Sequence, residues 1–120
     1  MNAPRDDSVY LSHIRDSCLR IESYLSGVGE KEFLETELIQ DAVVRQIQVI
    51  GEAVKRISKG LRNASPGIPW SDIAGMRDKL VHDYMGIDLE AVWETARTDI
   101  PTLRAQLEEL APRDERSHGP

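Results

Sequence analysis

The sequence predicts an all-α protein, an up-and-down bundle of four main helices with a short extra helix or turn. Three observations carry this. Apolar residues recur at steps of three and four in long segments, no stretch alternates apolar and polar residues as a half-buried strand does, and Gly- and Pro-bearing stretches separate the segments.

Asp7 or Ser8 can cap a first helix in which Leu11, Ile14, Cys18, Ile21 and Leu25 form one stripe, and Gly27 and Gly29 end it. An acidic turn, "EKEFLE", leads to a second helix from about Thr36 to Ser58. Its apolar residues, from Leu38 to Ile57, cover more than half the circumference, so it needs neighbours on several sides, within its own bundle or in a second subunit. "KGLRNASPGIPWSD" is a loop by composition. Ser71 or Asp72 then caps a shorter third helix through "DIAGMRDKLVHDY", which Gly86 ends. A fourth helix starts near Asp88 and buries Leu89, Val92, Trp93, Ala96, Ile100, Leu103, Leu107 and Leu110. Pro101 removes a donor and crowds the turn before it, which predicts a kink, or a break with Asp99 as the new cap. Residues 1–7 and 111–120 are expected to be disordered polar tails around a domain of residues 8–110.

With 120 residues the chain has room for one core and no second domain. Its 40% apolar and 30% charged composition belongs to soluble globular proteins. "MNAPRDDS" is charged where a signal peptide needs an apolar run, and no segment reaches the ~18 apolar residues of a membrane span, so a cytoplasmic protein is expected. Cys18, the sole cysteine, sits at core spacing and is expected to pack as a small hydrophobe. The net charge of -6 argues against a protein that coats nucleic acid. Between Ala53 and His82, however, Lys55, Arg56, Lys59, Arg62, Arg77 and Lys79 outnumber Asp72 and Asp78. That segment is either a phosphate-attracting surface or a helix end with cations near its C-terminal dipole.

Neither H-x-x-H nor H-E-x-x-H occurs, there is no cysteine cluster, and phosphate-cradling Gly loops are absent; neither a metal nor a cofactor is expected. His13 and His118 are read as surface residues. His82 has more promising neighbours in "MRDKLVHDYMG". If the third helix persists, Asp78 lies one turn before His82, where its carboxylate can accept the imidazole N–H and orient the ring. Arg77 would then be about 140° from His82 around the axis, and the two meet on one phosphate only if a second subunit lends one of them. In such a groove Arg77 binds phosphate and His82 moves a proton to or from a ribose hydroxyl or leaving oxygen. The alternative is an Asp78–His82 ion pair with no catalytic role. Arg45 and Glu52, polar residues in an apolar helix, face the same cleft or a dimer seam, or make a structural salt bridge between helices.

"MRDKLVHDY" has the form R-x4-H-x-Y. With "PWSDIAG" before it, "GIDLEAVWETARTDIPTLRAQLEE" after it and "LIQDAVVRQIQVIGEAVKRIS" in the second helix, the chain resembles the HepT-like group of the HEPN superfamily over residues 8 to 110. The resemblance implies a HEPN-like helical domain that forms a homodimer and cuts RNA without a metal ion, with Arg77 and His82 as the catalytic pair. It also implies the toxin of a type VII-like toxin–antitoxin pair, silenced when a small MNT-type nucleotidyltransferase antitoxin AMPylates the motif tyrosine, Tyr84. Bulk and negative charge two residues from His82 would obstruct RNA. Asp78 stands where many relatives have Asn; it either orients His82 or weakens RNA binding. Lys79, Lys55 and Arg56 are candidate phosphate contacts. The alternative is a non-catalytic HEPN module that binds a nucleotide or serves only as partner to a nucleotidyltransferase.

Overall fold

The stripe of the first helix finds its partners. The computed structural model describes the backbone of residues 3–82 and 86–118 and the side chains of residues 7–82 and 86–110. Helix α1 (Ala3–Tyr24) buries Leu11, Ile14, Cys18 and Ile21 against α3 (Glu37–Val54) and α8 (Ile100–His118). Gly27, at φ 75°, takes the left-handed conformation that turns the chain away after α1. On α3, Val43, Ile47, Ile50 and Val54 are fully buried, and on α8 Ile100, Leu103 and Leu107 complete the core. Arg104 of α8 ties the outer edge to α1: its Nε donates to Glu22 Oε2 at 2.7 Å and its Nη1 to Glu108 at 3.0 Å. Burial, reinforced by the negative charge of Glu22, pushes the Cys18 thiol up to about 12, as expected of a packed rather than a reactive cysteine.

Several boundaries differ from expectation. The "EKEFLE" turn is a short helix, α2 (Glu30–Glu35), because Phe33 is buried, stacks at 5.4 Å on Trp93, and offers its carbonyl to Gln40 Nε2 at 2.9 Å. Helix α1 starts at Ala3, inside the segment assigned to a tail, and Asp7 is buried rather than capping its own helix. Its Oδ1 accepts from the Ser58 amide at 2.9 Å and its Oδ2 from the Ser58 hydroxyl at 2.6 Å. Ser58 in turn accepts from Leu61 N–H at 3.2 Å and so caps α4 (Lys59–Ala64), a helix where the sequence reads as loop. At the other end α8 continues past residue 110, to His118.

The expected third helix is split. It breaks at Gly75 into α5 (Trp70–Ala74) and α6 (Met76–Leu80), then leaves the helical region at Val81 (φ -115°, ψ 119°). Strands β1 (Val81–His82) and β2 (Gly86–Ile87) follow, antiparallel, with His82 opposite Gly86. Asp88 N–H donates to Leu80 O at 2.9 Å and closes the ribbon against α6. Gly51 on α3 lets α5 approach: a Cβ there would stand 3.3 Å from Ala74 O.

Asp88 caps α7 (Leu89–Glu94) as expected, accepting from Ala91 N–H at 3.1 Å. Pro101 neither breaks the helix nor recruits Asp99 as a cap. A π-turn over Thr95–Asp99 widens the helix instead, with Ile100 N–H reaching Thr95 O five residues back. That wider turn accommodates the proline ring and the donor it lacks.

Candidate functional site

Arg77 stands in the first turn of α6, a helix that packs on α3, and its side chain is 42% exposed. The stem and the head live in different environments. Nε is buried without a hydrogen-bond partner, while among the described residues Nη1 reaches only the exposed Asp78 Oδ1, at 3.5 Å. A guanidinium cannot shed its proton, so Arg77 keeps its charge, and the exposed part of its side chain is where an anion can reach it.

His82 is exposed on β1. The helical stacking expected for Asp78 and His82 is therefore not the arrangement found: the helix ends at Leu80, Asp78 pairs with Arg77, and no Asp78–His82 hydrogen bond forms. The angular mismatch between Arg77 and His82 lapses with it, since a strand residue does not follow the helical wheel. The residue opposite His82 is Gly86, at φ 83°, with open space where a Cβ would be. Nothing from β2 covers the imidazole on that flank. The sequence reading took Gly86 only as a helix stop; its place across from His82 required the ribbon. Tyr84 lies outside the described residues.

The other proposed phosphate contacts separate into different environments. Lys55 caps the end of α3 and pairs with Glu52 at 3.6 Å, an exposed pair at a helix C-terminus. Arg62, from the same basic segment, donates from Nη2 to Val54 O at 2.7 Å and satisfies an end carbonyl of α3. Lys79 is exposed and borders a cleft of about 500 Å³ between α5–α6 and the π-turn, floored by Ile73, Met76 and Leu103. Arg56 is exposed on a second groove, of about 400 Å³, between α1 and α3. Arg45 and Glu52 border this second groove, and among the described residues neither makes the salt bridge to another helix expected as the alternative. His13, read from sequence as a plain surface residue, also lines it. Among the described residues no three of His, Cys, Asp and Glu converge as metal ligands, and no helix is long and apolar enough to cross a membrane.

Comparison with known proteins gives one consistent result. The family described as Ribonuclease HepT-like matches residues 14–110. A protein of Caldanaerobacter subterraneus subsp. tengcongensis is 38% identical over 92% of this chain and 96% of its own length. One from Methanocaldococcus jannaschii is 42% identical over 88% of each chain. Both carry the name "Putative RNase". A third, from Thermococcus cleftensis, named "Probable ribonuclease HepT", is 38% identical over 88% of this chain and 96% of its own. No solved structure matches.

Proposed function

Because the chain belongs to the Ribonuclease HepT-like family, we propose that it is an endoribonuclease that cuts RNA at Arg77 and His82 without a metal ion. The observation that carries the assignment within this chain is Arg77, a part-exposed guanidinium on the short helix that runs directly into the strand bearing the exposed His82. In this reading His82 takes the proton of a ribose 2′-hydroxyl. The 2′-oxygen attacks phosphorus, the bond to the 5′-oxygen breaks, and that oxygen leaves with a proton taken from water, giving a 2′,3′-cyclic phosphate and a 5′-hydroxyl end. Arg77 holds the phosphate and offsets the charge that grows on its oxygens. Asp78 acts through Arg77 rather than through His82.

Purified protein in excess EDTA should cleave RNA, and Arg77→Ala and His82→Ala should each slow cleavage by about a hundredfold or more. An absence of cleavage by the unmodified chain, with His82→Ala indistinguishable in a growth assay, would overturn the assignment.

The physiological role we propose is that of a toxin, acting as a homodimer and neutralised when a nucleotidyltransferase antitoxin AMPylates Tyr84. Tyr84 follows His82 by two positions in the R-x4-H-x-Y motif. Incubation with the partner, ATP and magnesium should add one AMP mass or more, and Tyr84→Phe should abolish the addition; modification persisting in that variant excludes Tyr84. One observation favours the non-catalytic alternative. Asp78 places a carboxylate 3.5 Å from the guanidinium that would bind phosphate.

A further inference from the structure

The groove between α1 and α3 has a character that the cutting chemistry leaves unexplained. One wall is half-buried Tyr10 and exposed His13 of α1, whose rings meet edge to face at 6.2 Å with planes at 85°. The other is α3 and the turn after it: Arg45, Val49 and Glu52 share an arc of about 60° on the helix, and Arg56 stands in the turn just past its end. Glu52 is already engaged by Lys55 at 3.6 Å. Arg45 and Arg56 are exposed and pair with no carboxylate among the described residues.

A cationic track beside aromatic rings is the pairing that holds single-stranded nucleic acid, arginines on the backbone and rings under the bases. The groove also lies where a substrate strand would pass. Gly51, about 120° round α3 from Arg45, takes the close approach of Ala74. Helix α5 and the following α6, which carries Arg77, therefore border the same exposed strip of α3 that α1 borders from the other side.

We infer that the α1–α3 groove binds the single-stranded RNA that flanks the cut, with Arg45 and Arg56 on its phosphates and Tyr10 and His13 stacking a base. The inference rests on the ribonuclease reading for the identity of the strand. A second copy of this chain fits the groove poorly, because a two-fold contact there brings the same two unpaired arginines from each side.

The test separates binding from cutting. A fluorescent 2′-O-methyl oligouridylate of about twelve nucleotides has no 2′-hydroxyl to react and reports affinity by anisotropy. Arg45→Ala/Arg56→Ala should weaken binding by about tenfold or more and lower the salt slope by about 1.4, the share of two phosphate contacts on a single strand. Tyr10→Leu should weaken it by about fivefold or more. Arg45→Lys/Arg56→Lys keeps the charge and should retain the slope. Unchanged affinity and slope in the double alanine variant overturn the inference, even when the unmodified chain cuts RNA. So does a change in self-association with affinity intact. If the unmodified chain cuts nothing while the substitutions still weaken the oligonucleotide, the ribonuclease assignment falls and the groove stands.

Discussion

At the scale of single residues, the neighbour of Arg77 sets how freely it can take a phosphate. Asp78 is 78% exposed and its contact with Arg77 is 3.5 Å, so the pair is a solvated one worth no more than about 1 kcal/mol. It competes with phosphate without excluding it. Asp78→Asn should therefore raise RNA affinity by about two- to fivefold and flatten its dependence on salt near the site, while leaving the melting temperature almost unmoved. Reduced cleavage with unchanged affinity would instead show that Asp78 orients the catalytic histidine. The proposal of Arg77 and His82 as a pair comes from the R-x4-H spacing, and the helical wheel adds Asp78 to it. Their contacts were not legible in either, because the helical wheel applies only while the helix lasts, and Val81 is already extended.

At the scale of elements, the long amphipathic helices were legible and the short ones were not. Helix α1 and the start of α8 follow their 3/4 stripes because each buries one face. Helices α2 and α4 are six residues each, too short for periodicity, and owe their existence to Phe33 in the core and to Ser58 held by Asp7. Two-residue strands cannot display alternation at all. The β1–β2 ribbon is nevertheless the element that carries His82, and Gly86 is its weak point. At φ 83° an L side chain is strained by about 1–2 kcal/mol even though open space surrounds the position. Gly86→Ala should lower cleavage by between about tenfold and a hundredfold through displaced His82. Far-UV circular dichroism should hold steady, and Gly86→Asn, which tolerates the left-handed region, should recover much of the loss. Full activity in Gly86→Ala would mean that the ribbon does not position the histidine.

At the scale of the whole molecule, the wide apolar arc of α3 is used mostly inside its own chain: Val43, Ile47, Ile50 and Val54 are fully buried. What stays outside is Leu38, 79% exposed, together with Val9 and Leu19 on α1 and Ile87 beside the histidine strand. A homodimer that covers such residues remains the proposed assembly, and it makes a prediction that neither fold nor motif makes alone. If a phosphate is held by Arg77 of one subunit and attacked with the help of His82 of the other, each single variant is inactive because both of its sites lack the same group. Mixed subunits behave differently. In a dimer of one Arg77→Ala and one His82→Ala chain, one site lacks both groups and the other has both. Unfolding and refolding the two inactive proteins together in equal amounts should pair unlike chains in half of the dimers and restore about a quarter of the unmodified activity. Activity that stays at the level of the separate variants, in a mixture shown by mass to contain the heterodimer, would place Arg77 and His82 of each site on a single chain.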